Sequence, residues 1–194
     1  MTPRLCLGLP EGQRAAAARL YWQAFGDKLG RVMGPEQRAL AFLHRVIRED
    51  HVIVALDGTL LLGLVGFKTP QGAFAGGQFA DLRAVYGLAG SLWRGALLQM
   101  LNREVDSTRF LVDGICVATE ARGLGVGSAL IEALCAEARA RGYCEVRLDV
   151  IDTNDRARAL YERQGFVAMR TQGMGPLRHV FGFGAATTMV RALG

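Results

Sequence analysis

The segment from Asp113 to Gly127 constrains the fold of this chain more than any other stretch. It starts inside an apolar run, Phe110 to Val117, whose β-branched and large residues predict a buried strand. A glycine-rich turn follows. Apolar residues then recur on one helical stripe: Val126, Leu130, Leu134 and Ala138. The segment therefore predicts a strand, a tight turn and a helix in direct succession.

The glycines of this turn predict an anion-binding site. They allow several backbone N–H groups to converge at the positive end of a helix without interference from Cβ atoms, and a pyrophosphate suits such a site. Two well-known phosphate loops are excluded. A Walker loop needs a Lys that the turn lacks. A dinucleotide fingerprint would need glycine at Ser128 or at Leu130.

Two motifs reveal a family resemblance. Arg122, Gly125 and Gly127 follow the spacing Arg-x-x-Gly-x-Gly, which resembles the acetyl-CoA-binding motif of the GNAT superfamily of N-acetyltransferases. The segment from Asn154 to Phe166 resembles a second signature of that family, Asn-x-x-Ala-x-x-Leu-Tyr-x-x-x-Gly-Phe. Both motifs stand in the family's order and at its spacing. The chain from about Phe110 to its end is therefore similar to this superfamily.

The resemblance implies an α/β fold of the α+β type, with a single mixed and largely antiparallel sheet of about six to seven strands flanked by helices. The N-terminal pattern is compatible with this fold. It predicts a strand from Arg4 to Leu9, helices from about Gln13 to Phe25 and from about Pro35 to Glu49, and a hairpin turn at Asp57-Gly58. Gly26 to Gly34 is expected to be a turn region.

We expect one domain over residues 1–194, with a helical insertion at about 70–108. Pro70 to Ala80 indicates a glycine-rich loop, and Asp81 to Val105 a helix that is broken near Gly87 to Ser91. The insertion is expected to pack over the substrate side, to contribute to a homodimer interface or to cover sheet surface. Three later strands are predicted: Cys144 to Ile151, Phe166 to Arg170 and Ala186 to Leu193.

The resemblance also implies the cofactor and its contacts. The cofactor is acetyl-CoA, used as a co-substrate, and no metal is expected. In the family, a bulge in the strand before the turn frees a backbone amide for the thioester carbonyl; the matching place here is Gly114 and the run Ile115 to Val117, with the N–H of Val117 as the expected donor. The implied cofactor-binding residues are Ile115, Cys116, Val117, Arg122, Gly123, Leu124, Gly125, Val126, Gly127, Ser128, Asn154 and Tyr161.

Acetyl transfer to an amine needs a group that accepts the amine proton and a group that protonates the departing thiolate. Tyr161 matches the family tyrosine that lies near the CoA sulfur, so the resemblance assigns it the role of general acid. Two carboxylates are rival candidates for the base. Asp149 precedes Tyr161 by twelve residues, at the offset of the catalytic Glu in ribosomal-protein alanine acetyltransferases, and Asp113 shares strand parity with Ile115. A water chain is a third alternative.

Asn154 is also a candidate N-cap. Glu120, His51 and His179 have no pattern that assigns them a role, and such residues are more often structural or exposed than catalytic.

Charge, hydropathy and cysteine positions limit the possible partners and location of the protein. The formal net charge is +5, but the basic residues form no block or nucleic-acid-binding signature, so no nucleic acid partner is expected. The longest apolar run is too short to cross a bilayer and no signal peptide pattern opens the chain, which indicates a cytoplasmic protein without a membrane partner. The cysteines are scattered and predict reduced thiols: Cys6, Cys116, Cys135 and Cys144.

The expected function is acetyl-CoA-dependent transfer of an acetyl group to a primary amine, by direct attack in a ternary complex. A small amine or amino sugar is the first choice of acceptor. Two alternatives stay open: a protein N-terminus or lysine as the acceptor, and a non-catalytic acyl-CoA-binding sensor of the same fold. The first two helices, the insertion and the loop from Thr171 to Ala185 are expected to specify the acceptor.

Overall fold

The structure is a computed structural model that describes residues 3–101 and 108–194. Its strands are β1 (Arg4–Leu7), β2 (Val52–Asp57), β3 (Leu60–Thr69), β4 (Gly72–Ala73), β5 (Phe110–Val117), β6 (Glu145–Ile151), β7 (Val167–Gly173) and β8 (Ala185–Ala192). Its helices are α1 (Arg14–Met33), α2 (Glu36–Val46), α3 (Phe79–Leu101), α4 (Val126–Ala140), α5 (Asp155–Arg163) and α6 (Arg178–Phe181).

All eight described strands belong to one sheet. Seven follow the order β1-β2-β3-β5-β6-β8-β7, and the short strand β4 pairs only with β3. Every pairing is antiparallel except that of β5 with β6. The predicted fold class, a mixed and largely antiparallel sheet flanked by helices, is confirmed.

Helices cover both faces of the sheet. On one face, Leu130 and Leu134 of α4 are completely buried in a cluster with Val65 of β3. On the other face, Leu64 of β3 packs in a cluster with Tyr21 of α1. Successive side chains of a strand point to opposite faces, so neighbouring residues of β3 serve two separate layers of core.

The neighbouring strands β5 and β6 separate soon after they begin. They are paired at two positions only, Phe110 with Val146 and Leu111 with Arg147. From Val112 to Val117, β5 stays paired with β3 on its other side at every residue except Asp113. The edge of β5 that faces β6 is therefore open over this stretch, and the chain leaves it directly into the glycine-rich turn.

The bulge expected in β5 lies at Asp113. Gly114 pairs with Gly66 of β3, whereas Val112 pairs with Phe67, so Asp113 is the extra residue. The bulge therefore adjoins the expected place, Gly114 and the run Ile115 to Val117, at its N-terminal end. Because a bulge leaves its extra residue unpaired and redirects its side chain, it changes what Asp113 faces.

Helix α1 is longer than predicted. The region from Gly26 to Gly34, expected to be a turn, continues the helix to Met33. Gly26 and Gly30 lower the helix propensity of this stretch. Val32 and Met33 are nevertheless buried against α2 and α3, and this packing outweighs the local preference.

The insertion forms a helix that folds back on itself. The break predicted near Gly87 to Ser91 is confirmed, because Gly87 has non-helical angles of φ 71° and ψ 177°. In a continuous helix Phe79 and Gly95 would lie about 24 Å apart. A Cβ atom on Gly95 would instead lie 3.7 Å from the ring of Phe79. The two halves of α3 therefore pack against each other; the predicted helix end at Val105 lies outside the described residues.

Two side chains attach α3 to the end of α1. The Tyr86 hydroxyl donates a hydrogen bond of 2.6 Å to the carbonyl oxygen of Met33. The Arg94 Nε donates one of 2.7 Å to the carbonyl oxygen of Val32. The last carbonyls of a helix have no partner within the helix, so both bonds satisfy groups that would otherwise need one.

The other predicted helices and strands are present, and they differ from the structure mainly in where they begin and end. The second predicted helix ends at Val46, and the hairpin around Asp57-Gly58 forms as β2 and β3. Within the loop from Thr171 to Ala185, β7 extends to Gly173 and the short helix α6 forms. Among the helices of the described ranges, none combines the length and apolar composition needed to cross a membrane.

Candidate active site

The turn between β5 and α4 presents a group of unpaired backbone amides. Gly123 and Gly125 have φ angles of 81° and 82°, in the left-handed region that favours glycine. Within the described residues, five amides of the turn have no backbone hydrogen bond: those of Gly123, Gly125, Val126, Gly127 and Ser128. Three of them belong to the first turn of α4, where the helix dipole is positive. This geometry suits an anion.

The glycines of the turn differ in how much space a side chain would have at each position. A Cβ atom on Gly123 or Gly125 would meet no atom within 4 Å. A Cβ atom on Gly127 would lie 3.1 Å from the side chain of Leu160, so this glycine lets the start of α4 approach α5 closely. Leu124 differs from its neighbours, because its amide already donates to the carbonyl of Ala121 at 3.4 Å and its side chain is exposed.

A first cavity of about 730 Å³ joins the turn to the open edge of β5. We call it the cofactor cavity. All but one of the predicted cofactor-binding residues line it, and the exception is Leu124. Three arginines also line it, Arg122, Arg156 and Arg163. The last two were missed by the sequence analysis, because α5 offered no signal that distinguishes these arginines from solvated ones.

The backbone of β5 offers hydrogen-bonding groups to this cavity. The amide of Ala118 donates to the carbonyl of Leu62 in β3. Because backbone direction alternates along a strand, the amides of Val117 and Ile115 point away from β3, towards the open edge. The Arg122 side chain also approaches from this side, donating weakly to the carbonyl of Val117 at 3.4 Å.

Tyr161 lies at the inner wall of the cofactor cavity. Only 6% of the residue is exposed, and its hydroxyl has no hydrogen-bond partner in the part of the chain that the structure describes. Burial raises the pKa of the phenol, and the nearby thiol of Cys116 raises it further. Tyr161 is therefore a neutral phenol that keeps a proton to donate.

Asn154 caps the helix that carries Tyr161. Its Oδ1 accepts a hydrogen bond of 3.2 Å from the amide of Ala157, as the sequence predicted for an N-cap. The cap fixes where α5 begins. It therefore also fixes the position of Tyr161, two turns further along the helix.

A second cavity, of about 760 Å³, adjoins the cofactor cavity at Asp113 of β5. We call it the acceptor-side cavity. It is enclosed by α1, α2, the β4 loop and both halves of α3. Three residues line both cavities, Phe25, Leu29 and Asp113. Phe25 directly precedes the predicted turn region, Gly26 to Gly34, and Leu29 lies within it. Their spacing of four residues places both on one face of a helix, and this pattern could have identified them.

Asp113 stands where the two cavities meet. Its side chain is half-buried, and its Oδ2 accepts a hydrogen bond of 2.8 Å from the amide of Ala75. Burial raises the pKa of this carboxyl above its ordinary value, while the Ala75 amide and the charge of Lys68 act in the opposite direction. A carboxylate with a raised pKa, in contact with both cavities, can accept a proton.

Asp149 is placed differently. It lines the cofactor cavity but not the acceptor-side cavity. Its Oδ1 accepts a hydrogen bond of 2.5 Å from the hydroxyl of Thr188, and its other oxygen lies 3.9 Å from the Arg147 guanidinium. Thr188 belongs to β8 and connects Asp149 to that strand, whereas Asp113 is bonded to the loop after β4, so the two rival carboxylates are not equivalent.

Lys28 also lines the cofactor cavity, and it was not a predicted site residue. Its ammonium lies 5.4 Å from the centre of the Phe25 ring. Burial lowers its pKa, although Cys116 and Asp27 act in the opposite direction.

The remaining candidates lie outside both cavities. His51 is buried, with Nε2 3.0 Å from the hydroxyl of Thr69 and Nδ1 2.9 Å from Asp50. Glu120 and His179 do not line either cavity. The described residues contain no cluster of three or more His, Cys, Asp or Glu side chains that could hold a metal ion.

Solved structures share this fold. A Corynebacterium glutamicum protein described as histone acetyltransferase HPA2 and related acetyltransferase has a TM-score of 0.69 and 19% identity, over 99% of this chain and 97% of its own. The ribosomal-protein-S18-alanine N-acetyltransferase of Escherichia coli has a TM-score of 0.61 and 16% identity, over 100% and 95%.

A chain of the NatC complex bound to Gag peptide and CoA is similar to the same degree. It has a TM-score of 0.62 and 16% identity, and the match covers all of both chains. At these identities the likeness concerns the fold alone. No curated protein sequence matches the chain.

The family model gives the decisive comparison. The model of the acetyltransferase (GNAT) family matches residues 14–166, which is most of the chain. The matched region contains the glycine-rich turn, the open edge of β5 and Tyr161. The chain therefore belongs to the GNAT family of acetyltransferases.

Proposed function

We propose that this protein is an acetyl-CoA-dependent N-acetyltransferase that acts on a primary amine of a small molecule, by direct attack in a ternary complex. One observation carries the proposal. The five unpaired amides of the turn, the open edge of β5 and the neutral phenol of Tyr161 all line the same cavity. A diphosphate, an amide-containing arm and a departing thiolate would each meet a matching group there.

The residues present fit acetyl-CoA. The unpaired amides of the turn would hold the diphosphate, and the cavity arginines would add positive charge near its phosphates. The amide of Val117, the outward-facing amide of β5 nearest the turn, would pair with the pantetheine arm as with an added strand. Acetyl-CoA, when bound, supplies the acetyl thioester that the amine attacks.

Asp113 is the stronger candidate for the general base. An amine that enters from the acceptor-side cavity meets the carboxylate of Asp113 before it reaches the cofactor cavity. Asp149 has no contact with that route and is engaged by Thr188. Asp113 therefore accepts the amine proton, directly or through a water molecule.

Two further groups complete the chemistry. The amide of Ile115 also faces the open edge of β5 and lies nearer to Asp113 than the expected donor Val117, so it would donate to the thioester oxygen as it gains negative charge. Tyr161 holds a phenolic proton beside the same cavity, and this proton would go to the departing thiolate. Acid and base thus both line the cofactor cavity, and the base also lines the acceptor-side cavity.

The proposal is tested in two steps. Titration calorimetry with acetyl-CoA should show binding to the native protein, and a thiol-release assay with a panel of amines should show turnover. Binding without turnover of any amine or peptide would instead identify a sensor. No binding at all would refute the cofactor assignment.

A protein acceptor is the second candidate. The similar Escherichia coli structure is named as an acetyltransferase of a ribosomal protein, and the NatC structure holds a peptide. Peptides with a free N-terminus therefore belong in the amine panel, and a preference for them over small amines would favour this candidate. A homodimer, the single-domain extent and a cytoplasmic location stay predictions.

A further inference from the structure

We propose that the amine acceptor carries an apolar body, an alkyl or aryl group, which binds in the acceptor-side cavity while its amine reaches Asp113. This inference rests on the proposed function and names the class of acceptor. It differs from the sequence-based first choice, which included amino sugars.

The lining of the acceptor-side cavity is the first argument. Aromatic and aliphatic side chains from α1, α2 and α3 dominate it: Tyr21, Trp22, Phe42, Phe79, Leu82 and Leu92. Its charged side chains are Lys68 and Asp113, and its neutral polar side chains, Thr69, Gln71, Gln78 and Gln99, come from the segment around β4 and from the end of α3. Against Phe42, Phe79 and the leucines, the hydroxyl groups of a polyhydroxylated acceptor would find no hydrogen bond, and such burial is unfavourable. An apolar body gains free energy in the same place.

The position of the charge is the second argument. Asp113 lies where the acceptor-side cavity meets the cofactor cavity, beside Phe25 and Leu29, which also line both. A cavity that is apolar along its wall and carries a carboxylate at one end matches an amphipathic amine in one orientation only. The ammonium would enter last and meet Asp113 next to the thioester.

The shape of α3 is the third argument. Because the helix reverses at Gly87, residues of both halves line the cavity, with Phe79 and Leu82 from the first half and Leu92 and Leu98 from the second. Leu92 is 59% exposed and Phe79 is 45% exposed without an acceptor. An apolar group bound beneath them would bury surface that is now in contact with water.

A homologous series of unbranched alkylamines, from propylamine to hexylamine, tests the proposal directly. These amines share one reacting group, so differences in kcat/KM report on the apolar body. We expect kcat/KM to rise about fourfold for each added methylene group that enters the cavity. Glucosamine should be a poor acceptor in the same assay.

A matched pair of variants on α3 locates the effect. Leu92 and Leu88 lie one turn apart and are similarly exposed, at 59% and 56%, but only Leu92 lines the cavity. Leu92→Ser should flatten the dependence of kcat/KM on chain length, whereas Leu88→Ser should preserve it. The KM for acetyl-CoA should be unchanged in both, which shows that the variants are folded.

The possible failures are distinguishable. Equal kcat/KM along the alkylamine series, or a preference for glucosamine, would overturn the apolar acceptor and leave the N-acetyltransferase proposal intact. A protein that binds acetyl-CoA by calorimetry but acetylates no amine or peptide would overturn the proposed function itself, and this inference with it.

Discussion

The main-chain amide of Ala75 donates a hydrogen bond of 2.8 Å to the carboxylate of Asp113. This bond connects the loop after β4 to the bulge in β5, at the place where the two cavities meet. It stabilises the charged form of the carboxylate and so opposes the effect of burial on the pKa of Asp113. The candidate base is therefore fixed by backbone on both sides, by its own bulge and by the loop.

The first prediction concerns the activity of Asp113. Replacing it in Asp113→Asn should lower kcat by about a hundredfold, because the amide cannot accept the amine proton. In the wild type, kcat/KM should fall as the pH drops through the raised pKa of this carboxyl. The variant should lose this acidic limb of the pH profile. Asp149→Asn is the matched control, and a larger loss of kcat in that variant would make Asp149 the base.

Asp113→Asn should lower the activity but raise the stability of the protein at neutral pH. Because the pKa of Asp113 is raised in the folded state, the folded protein binds more protons than the unfolded chain between the two pKa values. The free energy of unfolding therefore falls as the pH rises through this window. Asp113→Asn should unfold at a higher urea concentration than wild type at pH 7, and no gain at that pH would contradict the assigned burial.

The second prediction concerns Tyr161. Tyr161→Phe removes the phenolic proton and keeps the ring, so kcat should fall by about a hundredfold. The Kd for acetyl-CoA, measured by calorimetry, should stay close to that of wild type. Tyr143→Phe is the control, since Tyr143 packs against Phe110 and lines neither cavity. A normal kcat in Tyr161→Phe would remove this residue as the acid.

The third prediction concerns the glycine-rich turn. Gly125→Val places a β-branched residue at φ 82° and a side chain in the space in front of the unpaired amides. Gly142→Val creates the same backbone strain at φ 83°, at the other end of α4. Each should lose about 1–2 kcal/mol of folding free energy. Only Gly125→Val should abolish acetyl-CoA binding in calorimetry, and retained binding would show that the turn does not hold the diphosphate.

The fourth prediction concerns the attachment of α3. Tyr86→Phe leaves the buried carbonyl of Met33 without its 2.6 Å hydrogen bond. The free energy of unfolding, from urea titration, should fall by about 1–2 kcal/mol. The slope of the titration should be unchanged, because the change exposes no additional surface on unfolding. A neutral effect would indicate that water replaces the hydroxyl.

Local sequence patterns predicted the cofactor side well. The strand before the turn, the helix α4 and the cap at Asn154 are all determined by neighbours within a few residues. The position of the bulge in β5 was harder to predict from the sequence. It depends on how Gly66 and Phe67 of β3 align with β5, and this register is a property of two strands far apart in the sequence.

The acceptor side could not be predicted in the same way. Its cavity is built by segments that are separated along the chain and that carry no motif, such as the end of α1 and the two halves of α3. The glycines at 26 and 30 also suggested a turn where tertiary packing maintains a helix. On this side, the reversal of α3 at Gly87 could be predicted from the sequence. It depends on a positive φ angle that glycine adopts readily, and this preference is a property of the residue itself.

The reversal at Gly87 has a consequence for how selectivity could change. The folded-back α3 contributes much of the wall of the acceptor-side cavity but does not line the cofactor cavity. Its apolar residues could therefore be exchanged, singly or as a block, without altering the groups that we propose bind acetyl-CoA. Replacing α3 with a different helical hairpin between β4 and β5 would be a direct way to change which acceptor is used while the residues of the cofactor cavity stay the same.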